Sequence, residues 1–312
     1  MRDLVFVHGR DQARKNGQAL KDEWMAAWAE GLKKSGLTVP LPANRIHFPY
    51  YGDTLEQLTA GAAPGDAAKI VVRKSAFGRG GGSAQGFAPG MTPEELAFIR
   101  AVALESLGRF ERDPEAAIRR DLPANTSVER GILNWEGVQA VLQLLDRYLP
   151  GASDMSVWWA TRDVFRYLSQ RETRAVIDAG VASAISENAV VVAHSLGSVV
   201  AYNVLRQQAA PRRWNVPLFV TLGSPLAVTV VKRKLAEIAP LDFPAPVAAW
   251  FNAMDERDVV PLYPLDRDNF PLTPAITNKT DVHNGTPNAH GISGYLSDPD
   301  VAKTIHAAVT AV

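Results

Sequence analysis

Short apolar runs alternate with amphipathic stretches along most of this chain. Residues 4–7 (LVFV) and 189–193 (AVVVA) are continuous apolar runs rich in β-branched residues, which is typical of strands buried on both faces of a sheet. In residues 18–34, apolar side chains recur every three or four positions with charges between them, which predicts an amphipathic helix. Strands that alternate with helices predict an α/β fold with a mostly parallel central sheet and helices on both faces.

The same two patterns predict the remaining elements. Apolar runs predict further strands at residues 45–49, 217–222 and 247–252. Helical spacing predicts further helices at residues 93–110, 115–121, 137–149, 157–169, 172–187, 196–208, 229–238 and 300–311. The predicted strands therefore all fall before residue 53 or after residue 154.

The block of residues 53–154 interrupts the alternation. Apart from a doubtful apolar run at 70–72, its patterned stretches are helical, and a glycine-rich segment (GRGGGSAQGFAPG) occupies residues 78–90. That segment matches neither G-x-x-x-x-G-K-[ST] nor G-x-G-x-x-G, so we interpret it as a mobile loop and not as a phosphate site. We predict a core formed by residues 1–52 and 155–312, with residues 53–154 inserted as a helical cap or lid.

Composition and charge exclude several classes of function. Lys and Arg total 33, as do Asp and Glu, so net charge indicates neither a nucleic-acid partner nor attachment to a charged membrane surface. The chain has no cysteine, which rules out disulfides, thiolate catalysis and cysteine-ligated metals. The first apolar run is too short for a signal-peptide core, and no stretch is long enough to span a bilayer. We therefore expect a cytoplasmic protein without a transmembrane segment.

The most informative motif is Ala193-His194-Ser195-Leu196-Gly197, which lies between a predicted strand and a predicted helix. It matches a nucleophile elbow, in which a serine occupies a strained strand-to-helix turn and its hydroxyl projects above the sheet. The positions two before and two after the serine must be small because the backbones nearly touch there, and Ala193 and Gly197 are small. The weaker alternative is a polar turn in an ordinary strand–helix unit.

A nucleophilic serine needs a general base that a third group holds in place. Chains with this elbow carry the three groups in the order serine, acid, histidine. His283 and His290 share the loop before the last predicted helix, and His306 lies within that helix. His290 is favoured as the base because it lies on the approach to the last helix, and a loop histidine without a role is the alternative.

The acid is expected just after the predicted strand at 247–252, where the chain reads Met254-Asp255-Glu256-Arg257-Asp258. Asp258 is favoured because it directly precedes Val259-Val260-Pro261, an apolar anchor for such a loop. Asp255 remains open, either as the acid or as a brace of the turn through backbone N–H groups.

An oxyanion hole needs two backbone N–H donors. One is expected from Leu196, the residue after the nucleophile, and the other from Arg10, in the loop after the first strand. Gly9 allows the backbone of that loop to approach closely. A turn at His8-Gly9 that merely ends the strand is the alternative.

The segments FVHG, AHSLG, FNAMDERDVVP and NAHGISGYL stand in the order found in α/β-hydrolases. The chain resembles the lipase- and esterase-like branch of that superfamily, including GPI-inositol-deacylase-like members and bacterial hydrolases of undefined substrate, and the turn TLGSPL at 221–226 adds to the likeness. The resemblance covers residues 1–52 and about 155–312, but not 53–154.

The resemblance implies an α/β-hydrolase fold and a Ser195–Asp258–His290 triad that cleaves a carboxylic ester through an acyl-enzyme. The substrate would be a small-molecule or lipid-like acyl compound. An amidase or peptidase, a thioesterase, an acyltransferase and a non-catalytic binding module of the same fold remain alternatives. Neither H-E-x-x-H nor another convincing ligand cluster occurs, so we expect no metal and no organic cofactor.

Overall fold

One six-stranded sheet organises the part of the chain that the structure, a computed structural model, describes: residues 1–9, 16–52, 92–121, 141–148, 155–208 and 212–311. The strand order is β2-β1-β3-β4-β5-β6, and every neighbouring pair is parallel. The strands are β1 (Asp3–Val7), β2 (Ile46–His47), β3 (Ala189–His194), β4 (Phe219–Leu222), β5 (Trp250–Ala253) and β6 (Thr277–Lys279).

Helices connect these strands along the chain. They include α1 (Gly17–Lys33), α2 (Pro93–Leu107), α3 (Pro114–Asp121), α4 (Met155–Ser169), α5 (Arg171–Ala184), α6 (Leu196–Gln207), α7 (Thr229–Ile238), α8 (Ile292–Leu296) and α9 (Pro299–Thr310). Short 3-10 turns precede β2 at Ala43–Arg45 and α7 at Pro225–Ala227. Among the described residues, no helix is both long and apolar enough to cross a membrane.

Both faces of the sheet are covered by helices. Successive residues of a strand point to opposite faces, so Phe6 and Val192 pack on one side with α1, α8 and α9. Val7 and Val191 pack on the other side with α2, α4, α5, α6 and α7. This burial on both faces explains the continuous apolar runs of the central strands and confirms the prediction of an α/β fold with a parallel sheet.

Several element boundaries differ from the pattern-based prediction. β4 begins at Phe219 and not at residue 217, because Pro217 has no N–H to donate to the ladder. β2 is only two residues long, because Arg45 belongs to the preceding 3-10 turn. β6 was not predicted, since Thr277-Asn278-Lys279 has no apolar residue and the strand forms by pairing with β5 at the sheet edge.

The block predicted as a cap is described only in part. Its described portions are helical: α2, α3 and residues 141–145. The apolar run at 70–72 and the glycine-rich segment 78–90 lie outside the described residues. The division into core and cap stays a prediction.

Candidate active site

Ser195 occupies a sharp bend between β3 and α6, at the carboxyl edge of the sheet. Its backbone has φ 54° and ψ −128°, a left-handed conformation that is costly for a residue with a side chain. Hydrogen bonds hold it there: the Ser195 N–H donates to the Leu222 carbonyl at 3.0 Å, and the Ser195 carbonyl accepts from the Ser198 N–H at 2.9 Å and from Ser198 Oγ at 2.6 Å. The strain that the elbow motif predicts is therefore present at this serine.

The backbone on either side of Ser195 leaves no room for larger residues. A Cβ added to Gly197 would overlap the carbonyl oxygens of Val7 and His8, at the end of β1. A Cβ added to Gly9 would lie 2.8 Å from the Cβ of Ser195. The loop after β1 therefore lies against the serine, and glycine is required at both positions.

His290 connects Ser195 to a carboxyl group. Its Nε2 lies 2.9 Å from Ser195 Oγ, and its Nδ1 lies 2.7 Å from Asp258 Oδ2. Since a carboxylate oxygen accepts, the Nδ1–H donates to Asp258 and the Nε2 lone pair accepts the serine proton. Ser195 is 3% exposed and Asp258 is fully buried, so these bonds form with little competition from water.

The two aspartates of the loop after β5 have different partners. Asp258 accepts from His290, from the Tyr295 hydroxyl at 2.7 Å and from the Val260 N–H at 2.9 Å. Asp255 instead accepts from the side chain and N–H of Arg257, with a shortest distance of 2.6 Å, and from the Asn284 N–H at 2.7 Å. The structure thus brings Asp258 to His290, and Asp255 braces the turn.

Electrostatics agree with this bracing role for Asp255. Burial alone would raise the pKa of its carboxyl group, but the hydrogen bonds from Arg257 and Asn284 outweigh burial and hold the pKa below its usual value. The Asp255 N–H also donates to the Tyr295 hydroxyl at 3.2 Å. Tyr295 therefore connects the two acidic residues, accepting from one and donating to the other.

His194 holds the backbone of the loop that carries His290. Its Nε2–H donates to the His290 carbonyl at 2.8 Å, and the two ring centroids are 4.7 Å apart. Burial, and secondly repulsion from the His290 ring when that ring is protonated, lower the pKa of His194 well below its usual value, so the His194 ring is neutral. Sequence reasoning gave His194 no role, although it directly precedes the serine.

His8 holds the loop after β1 in a similar way. Its Nε2 accepts the Tyr51 N–H at 3.1 Å, which leaves the proton on Nδ1 to be donated to the Gly9 carbonyl at 2.6 Å. The Tyr51 hydroxyl donates to the His8 carbonyl, and the two rings stack with centroids 4.1 Å apart. Burial lowers the pKa of His8 to about 4, so this ring is also neutral at physiological pH.

The two predicted oxyanion donors are not equally described. Leu196 is the first residue of α6, so its N–H has no acceptor within the helix. This N–H lies at the N-terminal end of α6, next to Ser195. Arg10 lies outside the described residues, and its role as the second donor stays a prediction.

Neither the protein-family models nor the curated proteins give a match to this chain. Its function is therefore inferred from the geometry of this site.

An apolar cleft opens beside Ser195. The space within it that a water-sized sphere can occupy is about 20 Å³, so the cleft is narrow. Besides the serine, its lining includes Phe98, Thr161 and Pro225, together with six valines: Val102, Val164, Val228, Val231, Val259 and Val260. The cleft therefore places an uncharged surface next to the hydroxyl of Ser195.

The remaining candidates lie away from this constellation or perform structural tasks. His283 is exposed, and His306 is half-buried in α9. Ser224 is a turn residue whose hydroxyl donates to Ser198 Oγ at 2.7 Å and accepts from the Leu226 N–H.

Proposed function

We propose that this protein is a serine hydrolase of the α/β-hydrolase type that cleaves carboxylic esters. The observation that carries the proposal is the continuous chain from Ser195 Oγ through His290 to Asp258, with distances of 2.9 Å and 2.7 Å. A serine in a strained bend between a central parallel strand and a helix supports the same conclusion, because this is where α/β-hydrolases carry their nucleophile.

In the proposed reaction, Ser195 Oγ attacks the ester carbonyl while its proton passes to His290 Nε2. Asp258 keeps the other ring nitrogen protonated and stabilises the imidazolium that forms. The Leu196 N–H, and in our prediction that of Arg10, would donate to the developing oxyanion. His290 then protonates the departing alcohol, which leaves an acyl-serine.

Water completes the cycle by the same path in reverse. His290 Nε2 takes a proton from the water, whose oxygen attacks the acyl-serine, and then returns a proton to Ser195 Oγ as the carboxylic acid leaves. In this scheme the neutral rings of His8 and His194 only hold, by hydrogen bonds, the loop after β1 and the loop that carries His290. They contribute no proton, because burial disfavours their charged forms.

Labelling with a fluorophosphonate tests the proposal directly, because such probes react with an activated serine. We expect a single labelled peptide containing Ser195 and no label in Ser195→Ala. Hydrolysis of p-nitrophenyl butanoate should fall by about 10⁵–10⁶-fold in Ser195→Ala or His290→Ala.

Ser224→Ala is a suitable control, since it removes a second buried serine near the site without touching His290. It should still be labelled at Ser195. A wild-type protein that is folded but neither labelled nor active on esters would refute the proposed function.

A further inference from the structure

The walls of the cleft beside Ser195 are unusually uniform in chemistry. Six of its lining residues are valines, and no described residue that lines it carries a charge. Valine has few side-chain rotamers, so a wall built of valines cannot easily re-pack around ligands of different shape. Such a wall fixes both the polarity and the width of the space.

The elements that form these walls are fastened to one another. Glu105 of α2 accepts from the N–H and the hydroxyl of Thr229, at 3.0 Å and 2.8 Å, and so caps the first turn of α7. Arg109, just after α2, donates to the Glu256 carbonyl at 3.2 Å in the loop that carries Asp258. These bonds join α2 to α7 and to the loop after β5, both of which contribute residues to the cleft.

A third link joins α2 to α4. Glu95 is 3% exposed and accepts from Arg166 Nε at 2.6 Å, while Arg162 lies at 3.5 Å. Hydrogen bonds from Arg166 and Thr92 offset the cost of burying the Glu95 carboxylate, and its pKa stays below the usual value. The helices α4 and α7 that contribute to the cleft are therefore each joined to α2 by polar contacts.

The position of His290 decides which part of an ester enters the cleft. The departing alcohol oxygen must face His290 Nε2 to be protonated, and His290 is not among the residues that line the cleft. The acyl part would then enter the cleft, whose lining includes Val228, Val231 and Phe98. An apolar wall favours methylene groups and disfavours a carboxylate, which would be buried without a partner.

We propose that this cleft is an acyl-binding site that selects short, uncharged, unbranched aliphatic acyl groups. This inference rests on the proposed function, because it takes Ser195 as the nucleophile. It adds the class of substrate and the residues that set the length limit, Phe98 and Val102 on α2 foremost.

The first experiment measures kcat/KM for p-nitrophenyl esters from ethanoyl to dodecanoyl. Each added methylene should raise kcat/KM by about fourfold until the cleft is full, after which the value should fall. The p-nitrophenyl monoester of succinic acid should be cleaved roughly a hundredfold less well than the butanoate, because its carboxylate would enter the apolar cleft. A second series, in which the alcohol chain is lengthened on a fixed butanoyl group, should show a much weaker dependence.

Two variants of α2 should move the acyl-chain length at which kcat/KM is highest, in opposite directions. Phe98→Ala lengthens the preferred acyl chain, with Phe98→Leu as a milder step, and Val102→Phe shortens it. Ile99→Ala is the matched control: Ile99 is a fully buried core residue of the same helix but does not line the cleft, so its truncation should leave the optimum unchanged. Fluorophosphonate labelling of Ser195 in each variant verifies that the site is folded.

The outcomes separate this inference from the function on which it rests. If Ser195 is labelled and esters are cleaved, but the optimum is the same in the Phe98 and Val102 variants, the acyl-site assignment is wrong and the hydrolase proposal stands. Sensitivity to the alcohol chain in place of the acyl chain would likewise overturn it. Absence of labelling and of ester cleavage in the wild type would remove both proposals.

Discussion

The site around Ser195 has two sides that are built on different principles. On one side, Ser195, His290, Asp258 and Tyr295 form a chain of directional hydrogen bonds between 2.7 and 2.9 Å long. The other side is the cleft, lined mainly by valine side chains, which interact with their neighbours through contact area and shape. Both sides are largely buried. The first depends on which atoms carry protons, and the second on the shape of the space between side chains.

This difference predicts how each side responds to substitution. On the polar side, removal of one group leaves a buried partner unpaired, which costs the full desolvation of that partner. On the apolar side, a change in volume costs packing energy but leaves the chemistry intact. Substitutions on the polar side should therefore change the rate for every substrate, whereas those on the apolar side should change which substrate is preferred.

The largest contrast on the polar side is expected between its two aspartates. Asp258→Asn should lower kcat by about 10⁴-fold, because an amide no longer holds His290 in the tautomer that accepts from Ser195. Asp255→Asn should lower kcat by less than about tenfold but destabilise the fold by about 1–3 kcal/mol, because its partners are Arg257 and Asn284. Steady-state kinetics and urea unfolding of both variants measure the two effects.

Each aspartate variant is the control for the other. They lie three positions apart in one loop, are both buried and undergo the same chemical change. Equal losses of kcat in the two variants would contradict the separation of a proton-relay acid from a structural acid.

The second contrast concerns the pH dependence of stability. His8 and His194 hold the two flanking loops by hydrogen bonds but take no part in the proposed chemistry. The pKa of His8 is about 4 in the folded state, against an ordinary value near 6.5. Between these values the unfolded chain binds more protons than the folded protein, so the free energy of unfolding falls as the pH falls. From pH 6.5 to 4.5 this amounts to about 2 kcal/mol from His8.

Urea unfolding of His8→Asn at several pH values tests this contribution. The variant should be less stable than the wild type at pH 7, since Asn cannot make both of the His8 bonds. Its stability should nevertheless decline less steeply between pH 6.5 and 4.5. His283→Asn, which removes an exposed histidine, is the control, and a slope for His8→Asn equal to that of the wild type would contradict the prediction.

The residues of the polar side were partly predictable from the sequence, because a motif reports on backbone geometry. A serine between a β-branched run and a helical run, with Gly197 two positions later, indicated a strained bend that the structure contains. His290 was favoured from its place in the chain, and the structure brings it to Ser195. The choice between Asp258 and Asp255 was weaker, because both follow β5 and only tertiary packing decides which one faces His290.

Other features left no local signal in the sequence. Tyr295 lies in a five-residue helix with an unremarkable pattern, and its hydroxyl reaches Asp258 only because α8 packs beside the loop after β5. The cleft likewise brings together valines from positions between 102 and 260, each of which resembles an ordinary core residue. A strand of Thr-Asn-Lys such as β6 has no apolar pattern to detect. Properties set by long-range packing were therefore beyond sequence reasoning.

The smallest expected effect concerns Tyr295, where the polar side meets the core. The tyrosine hydroxyl donates to Asp258 Oδ2 and accepts from the Asp255 N–H, and His290 Nδ1–H is a second, separate donor to the same Oδ2. Tyr295→Phe should therefore lower kcat only about tenfold, with KM nearly unchanged, and destabilise the fold by about 1–2 kcal/mol. The acyl-chain optimum should remain that of the wild type, because Tyr295 does not line the cleft. A shift of that optimum in Tyr295→Phe would mean that the two sides of the site are coupled. The contrast between the polar side and the apolar side would then be wrong.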